Sequence, residues 1–188
     1  MKKVLIIPVF LIYILGLIYL SLPAPKVPQL PNAALSDEPG DTWQNPNQTA
    51  YFTNWERKQI LPNLQKAFSL KLAGFTIPSY RLNYRPEEAD KYIRKHIDSY
   101  YLEEIVHPLR ESLFVHGWNP RKSPRYDHLS EDDIKERLII FKGREYRSKI
   151  ILNPYYSSLL VRVIIWTAIF PASYFAFKQL FISSKAFA

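Results

Sequence analysis

The chain contains no cysteine. That absence excludes disulfides, a cysteine-linked lipid anchor, thiolate metal sites and cysteine nucleophiles together. Only five glycines occur, and none is arranged as a phosphate-binding loop. No serine sits in a nucleophile elbow, and no His-Glu-x-x-His is present. Nucleotide hydrolysis, α/β-hydrolase chemistry and zincin-type hydrolysis therefore have no local basis here. Internal repeats are lacking as well.

What is present is concentrated at the two ends. Val4 to Leu22 holds nineteen uncharged positions, about the 30 Å of a hydrocarbon core at 1.5 Å per residue. It is read as an uncleaved signal anchor over residues 1–22. A cleavage after Ala24 would put Leu22 where a small residue is needed and Pro25 just past the cut. Val163 to Phe177 is a second uncharged run, extended to a transmembrane helix over 156–182 if Arg162 snorkels its charge to the interface. Residues 183–188 are then a short cytoplasmic tail. Lys2 and Lys3 before the first run, and Lys178 and Lys185 after the second, place both termini in the cytoplasm and the middle outside.

The net charge of +8 suggests a polyanion partner until it is partitioned. Without Lys2, Lys3, Arg162, Lys178 and Lys185, 20 basic and 17 acidic residues remain. The basicity is mostly a matter of membrane topology, and no nucleic-acid partner is expected.

Between the apolar ends, residues 23–50 are dense in proline and read as an extended tether; Asn47-Gln48-Thr49 matches an N-glycosylation acceptor. Residues 51–155 are expected to form an α+β domain. Thr53 with Glu56 suggests a capping box ahead of Ile60, Leu64, Phe68 and Leu72 at fourfold spacing. Phe75 to Tyr84 has strand composition, and Pro86 opens a helix to about Val106. Ser130 caps a short helix, and Leu138 to Leu152 forms a β-hairpin turning at Lys142-Gly143, with Asn153-Pro154 ending the domain. The expected fold is thus α+β: a small extracytoplasmic module of helix, strand, helix, short helix and β-hairpin, flanked by an N-terminal and a C-terminal transmembrane helix.

Continued as one helix to Phe114, this segment would align His96, Tyr100, Glu104, His107 and Glu111 in a single stripe. These are the candidate catalytic residues. Glu104 and His107 have the Glu-x-x-His spacing of di-metal carboxylate bundles, but the second pair and the further glutamates are missing. The stripe is read by default as a polar face, with no metal and no cofactor expected. Pro108 disturbs it further, since it removes a backbone donor and biases His107 away from helical geometry.

Trp118, Arg121, Lys122, Arg125 and Tyr126 form the candidate binding loop, because guanidinium forks and aromatic faces suit phosphate, carboxylate or sugar surfaces. The reading that follows is a double-spanning envelope or organelle membrane protein with an extracytoplasmic interaction module, acting as an assembly or accessory factor. Its expected partners are the bilayer, a protein in the membrane or envelope, and an anionic lipid or polymer. Two alternatives stand beside it: a membrane-tethered metal-assisted hydrolase using Glu104 and His107, and a small transporter or channel subunit suggested by Arg162 and Pro171 in one span.

Overall fold

The computed structural model describes residues 2–42, 44–84, 101–122, 130–135 and 139–186. These fall into two compact units, Ala24–Tyr156 and the terminal pair Met1–Pro23 with Ser157–Ala188.

The first unit is built on a six-stranded antiparallel sheet. Its strands are β1 (Ala34–Leu35), β2 (Thr49–Thr53), β5 (Tyr80–Tyr84), β6 (Tyr101–Val106), β7 (Glu111–Trp118) and β10 (Ser148–Tyr156), in the order β1-β2-β10-β7-β6-β5. Helix α2 (Arg57–Ala67) lies across one face. Two small hairpins, β3–β4 (Leu70–Leu72, Phe75–Ile77) and β8–β9 (Ile139–Phe141, Arg144–Tyr146), and a short helix α3 (Glu131–Lys135) complete the unit. Both hairpins turn through consecutive positive φ angles, Ala73-Gly74 and Lys142-Gly143, the backbone twist that two-residue turns need to match twisted strands.

The α+β arrangement expected above is therefore corrected to a mixed α/β unit dominated by one antiparallel sheet. The largest departure is at Tyr101–Val106, expected to close a helix and found as a strand paired to β5 and β7. Glutamates favour helices and masked the twofold alternation. In the fold, Tyr101, Glu103 and Ile105 share one face of β6, while Leu102, Glu104 and Val106 take the other. The remainder of the expected helix, residues 85–100, lies outside the described residues.

Two boundaries also move. Part of the proline-rich segment packs on the sheet module: Leu30 is buried in the core, β1 pairs with β2, and Lys149 holds Glu38 at 2.7 Å and Asp41 at 2.8 Å. The domain does not end at Asn153-Pro154, because β10 runs on to Tyr156. Pro154 is tolerated because pairing with β2 stops at Leu152, so beyond it β10 is bonded only to β7.

The core sits between α2 and the sheet. Ile60, Leu61, Leu64 and Phe68 pack on Tyr51, Ile105, Leu113, Val115, Ile150 and Leu152. Helix α2 is capped by Glu56 and not by Thr53, which ends β2; Glu56 and Gln59 exchange side-chain and backbone bonds. A second cluster of Phe52, Ile139 and Phe141, with Trp118 and Tyr146 against it, lies on the other face of β2.

In the terminal unit, α1 (Lys2–Ser21) and α4 (Leu159–Ala186) pack side by side. Trp166 Nε1 donates to Tyr13 O at 3.0 Å, and the Tyr13 and Thr167 hydroxyls are 3.2 Å apart. Among the described residues, only α4 is long and apolar enough to cross a membrane, through Leu159–Ala176. This corrects the expectation of two flanking spans. Arg162 is buried: its Nη1 donates to Leu20 O at 3.3 Å and its Nε to Ser157 Oγ at 2.8 Å. It supplies a cation at the C-terminal end of α1, whose last turn has no basic residue of its own.

Candidate functional site

The stripe of acids and histidines does not form. His96 and Tyr100 lie outside the described residues. Glu104 and His107 would share a face of a helix, but three residues apart in extended chain they point to opposite sides. Glu104 accepts bonds from the Tyr84 and Ser112 hydroxyls of the neighbouring strands. His107 instead stacks on Phe68, with ring centroids 5.3 Å apart. Among the described residues, no three His, Asp or Glu side chains converge in a way that could hold a metal ion.

His107 to Glu111 form a tight turn between β6 and β7. Arg110 N donates to His107 O at 3.0 Å and His107 N to Glu111 O at 2.9 Å. Within it, His107, Arg110 and Glu111 are buried together. Arg110 Nε lies 3.1 Å from Glu111 Oε1, and Arg110 Nη2 donates to Oε2 at 3.2 Å. His107 Nδ1 is 3.2 Å from Oε1. Burial pushes the Glu111 carboxyl up, but the contacts from His107 and Arg110 outweigh it and leave the group below its ordinary value. Tyr156, opposite Glu111 in β10, is pushed up by burial and by the Glu111 charge. This cluster ties the turn to the sheet.

The candidate binding loop divides. Trp118 packs in the Phe52 cluster, Arg121 makes an exposed pair with Glu145 at 3.2 Å, and Arg125 and Tyr126 lie outside the described residues. Of its described members, Lys122 alone lines a cleft of about 500 Å³, together with Glu56, Arg57, Lys58, Leu61, Arg81 and Asn119.

This cleft gathers residues from three places in the chain. Glu56, Arg57 and Lys58 come from the start of α2, Arg81 from β5, and Asn119 and Lys122 from the turn after β7. Asn119 shapes that turn by accepting Arg121 N on its side chain at 3.0 Å and Lys122 N on its carbonyl at 3.0 Å. It is also tied to the sheet through Ser148 Oγ. Glu103, from the face of β6 that α2 covers, pairs with Arg57 and with Arg81, the latter at 3.4 Å.

The charges are arranged in two groups of three. Glu103 holds Arg57 and Arg81; Glu56 holds Lys122 at 2.7 Å and Lys58 at 3.5 Å. The Lys122 hydrogen bond and charge, with Lys58, hold the Glu56 carboxyl below its ordinary value. Among the described residues, four cations thus share two carboxylates, leaving two positive charges in excess. Arg57 is further oriented by Asn83 Oδ1 at 3.0 Å and lies 5.2 Å over the Tyr101 ring. A cleft of this kind can recognise an anionic group. Sequence reasoning singled out Lys122 by composition but missed the others, because they stand at 56–58, 81, 103 and 119 with no shared motif.

Compared with known proteins, the chain matches no protein-family model, no curated protein and no solved structure.

Proposed function

We propose that this chain is a membrane-anchored interaction protein, an assembly or accessory factor whose sheet module offers a cationic cleft to an anionic partner. The observation that carries this reading is the cleft's two-to-one ratio of cations to carboxylates. Isolated surface ion pairs contribute little to stability, so an excess of like charge gathered around one concavity is better accounted for by recognition. Its rigid setting supports the same conclusion, since α2, β5 and β6 all carry core or sheet contacts and bind at low ordering cost.

Anchoring rests on α4. Leu160, Ile164, Ile165 and Phe175 are exposed on it, and an apolar helix surface of this extent favours a lipid environment. Lys178 and Lys185 after this span favour a cytoplasmic C-terminus, with the module on the opposite side.

The test uses the full chain in neutral phosphatidylcholine vesicles. Polyglutamate and polyphosphate should bind it, and the Arg81→Glu/Lys122→Glu variant should lose that binding by about a hundredfold, as expected for two charge-assisted contacts. Equal binding by the two proteins, or none by either, overturns the reading. Protease digestion of sealed vesicles with both termini tagged checks the side on which the module lies.

A further inference from the structure

We infer that the cleft is a phosphomonoester site; this rests on the anionic-partner reading above and names its ligand class. Three features of the cleft favour a phosphate over a lone carboxylate.

The first is charge. Among the described residues, two positive charges remain after Glu56 and Glu103 are counted, and a phosphomonoester brings about −1.5 to −2 on one compact group. A carboxylate would neutralise only half of the excess.

The second is donor geometry. Arg57 and Arg81 are planar forks oriented by a shared carboxylate, and Glu103 has no exposed surface, so a ligand cannot reach it. Glu103 therefore acts as a positioning residue for two guanidinium groups, the donors best matched to adjacent phosphate oxygens. Lys58 and Lys122 add point charges at the same cleft. The volume of about 500 Å³ is that of a small-molecule site rather than of a lone ion, and Leu61 offers an apolar wall to the body of the ester.

The third is Glu56. It is partly exposed and accepts from Lys122 at 2.7 Å, so its carboxylate occupies a position that a ligand oxygen would take. A bound phosphate replaces Glu56 at Lys122, which makes Glu56 an internal competitor. A purely structural ion pair has no such consequence.

The experiment is calorimetric titration of the full chain in phosphatidylcholine nanodiscs at fixed ionic strength, with inorganic phosphate, glycerol 3-phosphate and succinate as separate probes. Phosphate and glycerol 3-phosphate should saturate one site per chain, with succinate at least tenfold weaker. Arg81→Gln and Lys122→Gln should each weaken phosphate binding by about tenfold or more. Both side chains are half-exposed, and an unchanged melting temperature confirms folding. Glu56→Gln should tighten binding severalfold. Flotation with vesicles containing phosphatidic acid distinguishes a lipid headgroup from a soluble ester, and saturation in either arm supports the site. Absence of saturable phosphate binding, succinate binding as tight as phosphate, or a Glu56→Gln variant that binds no tighter overturns the inference. If polyglutamate still binds through Arg81 and Lys122 while phosphate does not, the phosphate class fails and the anionic-partner reading stands; if neither binds, both fail.

Discussion

Arg57, in the first turn of α2, is ion-paired across forty-six residues to Glu103 in β6, and the Glu103 side chain is wholly buried while that of Arg57 is 39% exposed. This asymmetry fixes which partner the fold can lose. It also joins the floor of the cleft to the face on which the core is built.

Arg57→Met should therefore cost more than Glu103→Leu. The first leaves a buried carboxylate with Arg81 alone and should destabilise by about 3 kcal/mol. In the second, the abandoned guanidinium can turn to water and the new leucine joins the face of Tyr101 and Ile105, so the loss should be about 1 kcal/mol. Urea unfolding followed by tryptophan fluorescence measures both, and equal losses would contradict the assignment.

Glu111 predicts an acid-labile contribution to stability. Its folded pKa is depressed because the His107 and Arg110 contacts outweigh burial. The folded state binds its proton less tightly than the unfolded state, whose carboxyl titrates near about 4.3. The stabilisation is present above that value and is lost as pH falls through the lower folded pKa. Glu111→Gln should be less stable at neutral pH and converge on the parent in acid; a constant gap in urea midpoint at all pH values would refute this.

The turn after β6 carries local strain. Pro108 and Leu109 are its central residues, and Leu109 has φ +63°, the type II arrangement in which Gly or Asn is preferred second. Leu109 is largely exposed, so little packing is lost on replacement. Leu109→Asn should raise stability by about 1 kcal/mol, and Leu109→Val should lower it. Thermal melts of the two variants should move in opposite directions.

In the terminal unit, a Cβ on Gly16 would run into the Trp166 ring. Gly16→Leu should push α1 and α4 apart at a cost of roughly 1–3 kcal/mol. The chain has no native cysteine, so a Tyr13→Cys/Thr167→Cys pair reports on this contact without background. Oxidative cross-linking of that pair should drop by about tenfold when Gly16→Leu is added, which corresponds to ~1.4 kcal/mol.

Several parts of this architecture were legible in the residues themselves. The apolar α4 segment is marked by composition, the Lys142-Gly143 turn by its glycine, and α2 by apolar residues at fourfold spacing. Each depends on neighbours within one or two turns of chain. The β6–β7 hairpin shows the limit of that local signal. Glutamates at 103, 104 and 111 favour a helix, and only burial of Glu103 against Arg57, with pairing of Glu104 opposite Phe114, makes the strand the better solution.

The sequence by itself determined the absence of thiol chemistry, the apolar ends and the Lys142-Gly143 turn, because each is a property of residue type or short spacing. Tertiary structure alone decided the cleft. A charge cluster drawn from residues 56–58, 81, 103 and 119–122 has no period, and its members meet only after α2 has packed on the sheet and β5, β6 and β7 have paired in register. Which carboxylate is buried and which is exposed, and hence which one orients the site and which one competes for it, follows from that packing.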